Sequence, residues 1–286
     1  MKKISVAHSP DADDIFMYMA ISFGWLGNEF KYENTALDIQ TLNEFALKNE
    51  YDVSAISFAL YPLIAKEYAL LRTAVSFGEG YGPKLIKKKD TKLKKNFKVA
   101  LSGANTTNAL IFRMKYNEAR IIYKNFLEIE KAVLEGEVDA GVLIHESILE
   151  FDESLCVEAE LWDIWCEFVK EELPLPLGAM ALRRSLPLND AIAIEQDLTK
   201  AVKLAHSNRK ILASMLMERK LIRVDEQKLE HYLSLYANKN SISMSEKQIL
   251  AVNALFKLGY EYKFYDKIID AKDHLIPIEY ENARNS

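Results

Sequence analysis

The chain has 286 residues, of which 49% are hydrophobic and 28% charged, and its formal net charge is −5. At the ~150 residues typical of one domain, this length predicts about two domains with a core each, and the composition excludes a disordered or fibrous class. The acidic balance argues against a nucleic-acid partner, because phosphate binding needs a clustered basic face.

The first residues carry Lys2, Lys3 and a short apolar run, Ile4 to Ala7, before polar His8-Ser9-Pro10. A secretory core needs roughly 7–15 apolar residues and a membrane span about 18, and neither occurs, so a cytoplasmic protein without membrane insertion is expected. Ile4 to Ala7 reads as a strand, and Ile15, Phe16, Met19, Ala20 and Phe23 share one helical face behind it. Asp11, Asp13 and Asp14 stand at the start of that helix, where the helix dipole accounts for them more simply than acid catalysis does.

The same pattern recurs downstream. Val53 to Ile56 leads into Ser57, Val99 to Leu101 into Ser102, and Ala140 to Ile144 into His145, each followed by a helix-compatible segment. Strand ends of this kind belong to a parallel α/β sheet, whose ligands bind beyond the carboxyl ends of the strands. Two stretches also look like copies of each other. Val6-Ala-His-Ser-Pro10 resembles Val99-Ala-Leu-Ser-Gly103, and Phe45 to Ser57 resembles Val133 to His145 in the same order. Duplication at so long a spacing predicts an α/β protein of two similar lobes with a cleft between them.

Lys84 to Lys98 is a basic run without an interleaved aromatic platform, and reads as a solvated connector between lobes. Gly78-Glu-Gly-Tyr-Gly-Pro83 and Pro174-Leu-Pro-Leu-Gly178 are the clearest breaks and the expected crossings. A chain that crosses twice leaves one lobe discontinuous, here residues 1–95 with 183–286, and residues 96–182 form the other. Cys156 and Cys166 have neither metal-type nor redox-type spacing and read as reduced core thiols. From Asp190 the chain turns helical: one long amphipathic stretch to Lys220, a second from Asp225 to Tyr236, then the capping box Ser245-Glu-Lys-Gln248 before Ile249 to Leu258, with Gly259 as the stop.

The chemistry should come from the strand ends. Ser9 and Ser57 in one lobe, with Ser102, Thr106, Thr107 and Asn108 in the other, put hydroxyl and amide groups beside helix N-termini, which suit carboxylate or hydroxyl-rich small molecules. Capping explains each of these residues singly. Their recurrence in two copies points to a ligand site. His145 takes the position that Ser57 has in the other copy and should face the cleft, where an imidazole with a pKa near ~6.5 can take or give a proton. A structural histidine is the alternative reading. His8, His206, His231 and His274 form no metal-ligand pair, Gly78 to Gly82 lacks the dinucleotide-loop spacing, and no phosphate-binding loop occurs, so neither a dedicated metal site nor a loop of these two kinds is expected.

The run Ser9-Pro10-Asp11-Ala12-Asp13-Asp14-Ile15-Phe16, the strand Asp52 to Ser57, Thr106-Thr107-Asn108, Leu143-Ile-His-Glu146 and Pro174 to Gly178 together closely resemble the 1,4-dihydroxy-6-naphthoate synthase family of the futalosine route to menaquinone. The resemblance covers most of the first 185 residues. It implies a two-lobed fold like type II periplasmic binding proteins, and a lyase that cleaves cyclic dehypoxanthinyl futalosine to the naphthoate and a sugar fragment without metal or redox cofactor. It also implies that His145 is the catalytic base and that Ala55-Ile56-Ser57 and Thr106 to Asn108 hold substrate. Many relatives carry Cys-Pro-Asn-Asp where this chain has Asp11-Ala-Asp13-Asp14, so the resemblance transfers no role to the first three of these positions. Chorismate dehydratase, of the same fold and pathway, is the nearest rival; a non-catalytic binding protein is the rival from another class.

Overall fold

The structure, a computed structural model, describes residues 1–26, 29–221 and 225–277. Strand β1 (Lys2–His8) buries Ile4, Val6 and Ala7 and pairs in parallel with β2 (Phe30–Ala36) and β3 (Val53–Ser57). All five residues of β3 are buried, as a central strand covered on both faces requires. Short strands β4 (Tyr68–Leu70) and β5 (Ser76–Gly78) close the outgoing half of this sheet.

The chain then builds a second sheet from β6 (Lys84–Lys88), β7 (Lys98–Leu101), β8 (Arg120–Tyr123), β9 (Ala140–Leu143) and β10 (Leu155–Glu160), in the order β10-β6-β9-β7-β8. It returns as β11 (Leu175–Arg183), which runs antiparallel between β3 and β4 and also carries β5. The first sheet therefore has the order β2-β1-β3-β11-β4. In each sheet a parallel βα core, β2-β1-β3 or β8-β7-β9, is extended by antiparallel strands: β11 on the first, β6 and β10 on the second.

Lys84 to Lys88 is not a solvated connector but strand β6, with Leu85 and Ile86 fully buried between β10 and β9. Its lysines, Lys84, Lys87 and Lys88, flank this buried pair and stay half-exposed, which is why the run reads as basic. Residues 175–182 belong to the first sheet through β11. The chain thus leaves the first sheet after Gly78 and re-enters it at Leu175, at the two breaks that Gly and Pro mark.

The C-terminal region is helical as its periodicity predicts, with two changes. The stretch after Asp190 divides at Asn208 into helices Leu188–Ser207 and Arg209–Glu218. The capping box forms, Ser245 accepting from the Gln248 N–H, but the helix Glu246–Glu261 runs past Gly259. Gly259 is instead a point of close approach: a Cβ there would lie 2.0 Å from the Tyr265 ring. Both sheets and their helices share one buried apolar cluster. Among the described residues no helix is long and apolar enough to cross a membrane. Cys156 and Cys166 are free and half-buried rather than in the core.

Candidate active site

The carboxyl ends of β1, β3, β7 and β9 converge on a cleft of about 740 Å³ counting its open mouth, with about 100 Å³ of space for water-sized molecules. Ala55 and Ile56 line it from β3, and Leu177, Gly178 and Ala179 from the neighbouring β11.

The serines at two strand ends are held alike. At the end of β3, Asn43 Nδ2 donates to Ser57 Oγ at 3.1 Å while the Ser57 N–H donates to Asn43 Oδ1 at 3.0 Å. At the end of β7, Asn108 Nδ2 donates to Ser102 Oγ at 3.2 Å. In both pairs the serine oxygen is occupied as an acceptor, so its own O–H is left to donate to a ligand. The two threonines differ. Thr106 caps the helix Thr107–Lys115, accepting from the Ala109 N–H at 3.2 Å and donating to Gly103 O at 2.9 Å, so capping explains it. Thr107 Oγ1 accepts from the Ala59 N–H at 3.2 Å and donates to Leu177 O at 3.3 Å, which ties the second sheet's helix to the first sheet. Ser9 is buried outside the cleft lining, and its N–H donates to Asp14 Oδ2 at 2.7 Å.

His145 lines the cleft, at the start of the turn His145–Ile148 that follows β9. Its φ of 55° puts a non-glycine residue in the left-handed region, a conformation that costs of order 1–3 kcal/mol and persists only where the surroundings enforce it. The surroundings here are specific. Nδ1 pairs with Asp11 Oδ2, Phe126 meets the ring edge-on at a centroid distance of 4.8 Å, and Nε2 is buried without a partner. The next residue, Glu146, accepts from the Ala12 N–H at 2.8 Å.

Asp11, Asp13 and Asp14 all line this cleft, so dipole compensation does not exhaust their role. Asp11 has the extended backbone of an N-cap, yet its side chain makes no capping bond and turns to His145 instead. Asp13 accepts from Tyr232 Oη at 3.1 Å. Their protonation diverges. Burial alone would raise the Asp11 pKa, but the His145 charge and hydrogen bond hold it below the usual carboxylate range. Burial, then the charges of Asp11, Asp14 and Glu146, push Asp13 well up; burial and the Asp11 charge push Asp14 up to about 8. Burial would likewise lower His145, but the Asp11 charge and hydrogen bond, helped by Glu146 and Asp14, outweigh it and raise its pKa. Asp11 is thus the carboxylate held ionised against His145, while Asp14 keeps its proton near neutral pH and Asp13 is pushed toward its protonated form. Among the described residues no group of three or more His, Cys, Asp or Glu is placed to hold a metal ion.

Several lining residues escaped the sequence reading. Tyr232 and Tyr236 come from the helix Glu226–Tyr236, and their four-residue spacing, which puts both on one face, was the available signal. Asn43, which holds Ser57, sits on the helix Ile39–Leu47 with no local mark of its role.

The comparisons agree with this architecture. A family model described as menaquinone biosynthesis matches residues 4–261. A protein of Thermus thermophilus named 1,4-dihydroxy-6-naphtoate synthase is 26% identical over 258 residues, covering 90% of this chain and 93% of its own. One of the same name from Streptomyces coelicolor is 27% identical over 259 residues, covering 88% and 91%. The crystal structure of an Archaeoglobus fulgidus protein superposes with a TM-score of 0.86 at 33% identity, covering 92% of this chain and 98% of that one. The alkanesulfonate-binding protein of Xanthomonas axonopodis superposes with a TM-score of 0.71 at 13% identity, covering 96% and 98%, a likeness of fold alone.

Proposed function

We propose, from the premise that the chain belongs to the menaquinone biosynthesis family, that it is a carbon–carbon lyase converting cyclic dehypoxanthinyl futalosine to 1,4-dihydroxy-6-naphthoate and a sugar-derived fragment. The observation that carries the reading is His145. It is a cleft histidine with one nitrogen committed to a carboxylate and the other buried and free, held in a left-handed backbone. In this reading Nε2 takes a proton from a hydroxyl or carbon of the sugar-derived part, and the electrons released break the carbon–carbon bond of the spiro ring. A single proton-transfer group contributes ~10²–10⁴-fold, so positioning supplies the remainder. Ser57 and Ser102 donate to the substrate from opposite lobes, and Ala55, Ile56 and the Thr106 to Asn108 segment shape its pocket. Asp14, proton-bearing near neutral pH, is placed to act as an acid in the same cleft. The enzyme works in the cytoplasm, with the lobes dividing at the crossings between β5 and β6 and before β11.

The test is direct. Purified protein incubated with the cyclic futalosine derivative should release the naphthoate, read by mass, while chorismate offered in parallel stays unchanged. His145→Asn should bind substrate but lose about 10² or more in kcat, since the amide cannot accept a proton near neutral pH. A variant within about threefold of wild type, far short of that proton-transfer contribution, would remove His145 from the role.

A further inference from the structure

Asp11 and His145 lie 134 positions apart in the chain and meet across the cleft between the two lobes. Asp11 is 3% exposed, and no capping duty holds its side chain where it is. The contact it makes is with Nδ1 rather than Nε2, which decides where the neutral imidazole keeps its proton.

We infer that Asp11 is the positioning residue of the reaction: by accepting from His145 Nδ1 it fixes the ring and its tautomer so that the lone pair of Nε2 faces the substrate. This rests on the reading of His145 as the base and extends it to a residue from the other lobe. Three features of the site support it. Nε2 is buried in the cleft wall without any protein partner, so the tautomer set by Asp11 leaves an acceptor there for the substrate alone. The left-handed backbone at His145 fixes where the ring can reach, and Phe126 packs edge-on against it, so the carboxylate completes a three-sided clamp. The neighbouring N–H of Ala12 donates to Glu146 at 2.8 Å, so two adjacent contacts bring the same two turns together and fix the register between them.

Other charges reach the imidazole. Asp14, in the helix that Asp11 precedes, and Glu146, from the turn of His145, both favour its protonated form when they are ionised. Asp13 engages Tyr232 of the helix Glu226–Tyr236. Removing the Asp11 charge therefore lowers the titration of His145 without abolishing its dependence on the others.

The experiment uses protein labelled with ¹⁵N-histidine, the His145 signals being assigned by their absence in His145→Gln. In the wild type at high pH, Nδ1 should carry the proton and Nε2 should show the shift of an unprotonated nitrogen. In Asp11→Asn the His145 midpoint should fall, and its neutral form should move toward the opposite tautomer. With the cyclic futalosine derivative, the acid limb of kcat/KM should move down in pH by the same amount, while kcat drops about 10²–10⁴-fold and KM stays within about threefold. A wild-type His145 whose neutral form carries its proton on Nε2 overturns the inference without any variant, and so does an unchanged midpoint in Asp11→Asn. The spectra need no substrate, so the positioning role is judged separately from the proposed reaction.

Discussion

At the scale of single residues, the three aspartates after β1 show how far local sequence carries. Their place at a helix start was legible, because a polar cluster followed by Ile15, Phe16 and Met19 marks an N-terminus. Their partners were not: Asp11 answers to His145 and Asp13 to Tyr232, both far along the chain and on other elements. The position of His145 was legible because the duplication aligned it with Ser57, whereas its paired nitrogen depends on Asp11 of the other lobe and no local pattern marks its positive φ. Protonation follows from the same enclosure and can be tested through Asp14. Its folded pKa, pushed up to about 8 by burial and the Asp11 charge, lies above the ~3.9 of an unfolded aspartate, so between these values the native state binds the extra proton. This group's contribution must then fall as pH rises from about 4 to about 8 and change little beyond either end. Asp14→Asn, which mimics the neutral acid, should flatten that slope. The variant should gain Tm relative to wild type between pH 5 and 8 by at least ~2–4 °C, the shift per kcal/mol for a chain of this size. Parallel Tm curves for the two proteins across this window would show that Asp14 ionises in the folded state as it does in the unfolded one.

At the scale of elements, caps and breaks were read correctly where the signal is local and misread where a distant side chain decides. Ser245 and Gln248 form their capping box because both partners lie within one turn. Gly259 looked like a stop, yet it lies inside the helix, buried against the Tyr265 ring, whose hydroxyl donates to Ala59 O at 2.6 Å. The basic run was misread for a similar reason: Leu85 and Ile86 between lysines suffice for a short strand once β9 and β10 flank it. Two effects compete at Gly259. Alanine in a helix interior gains up to ~1 kcal/mol over glycine, whereas forcing atoms into a filled core costs typically ~1–3 kcal/mol. The ring is anchored by its hydrogen bond and only 7% exposed, so it cannot swing away freely. Gly259→Ala should therefore destabilise by about 1–2 kcal/mol in denaturant titration, once the propensity gain offsets part of the clash. A stabilised variant would mean that the Tyr265 ring yields without cost.

At the scale of the molecule, two lobes and a cleft were readable from the repeat, because duplicated βα units at long spacing leave few other arrangements. How the lobes are held together was not, since each bridge joins groups that no local pattern relates. Among the described residues, hydrogen bonds or ion pairs span the site from Asp11 to His145, from Ala12 to Glu146, and from Thr107 to both Ala59 and Leu177. Thr107 bridges the lobes at the cleft without touching the charged cluster, and so separates closure from chemistry. Thr107→Val keeps the shape but leaves the buried Ala59 N–H and Leu177 C=O unpaired whenever the lobes are shut, at ~1–3 kcal/mol for each group left so. An opened form rehydrates both groups, so the cost falls on the closed state alone. The ligand-free variant should then have a larger radius of gyration in small-angle scattering. Substrate should draw it back toward the wild-type value, and KM should rise more than kcat falls, because part of the binding energy goes into closing the lobes. Ser57→Ala on top of it should give less than the sum of the two single losses, since a cleft that closes poorly already forfeits part of the Ser57 contact. Superimposable scattering curves for wild type and Thr107→Val, together with additive kinetic effects, would mean that the lobes stay shut without this bridge and that other contacts set closure.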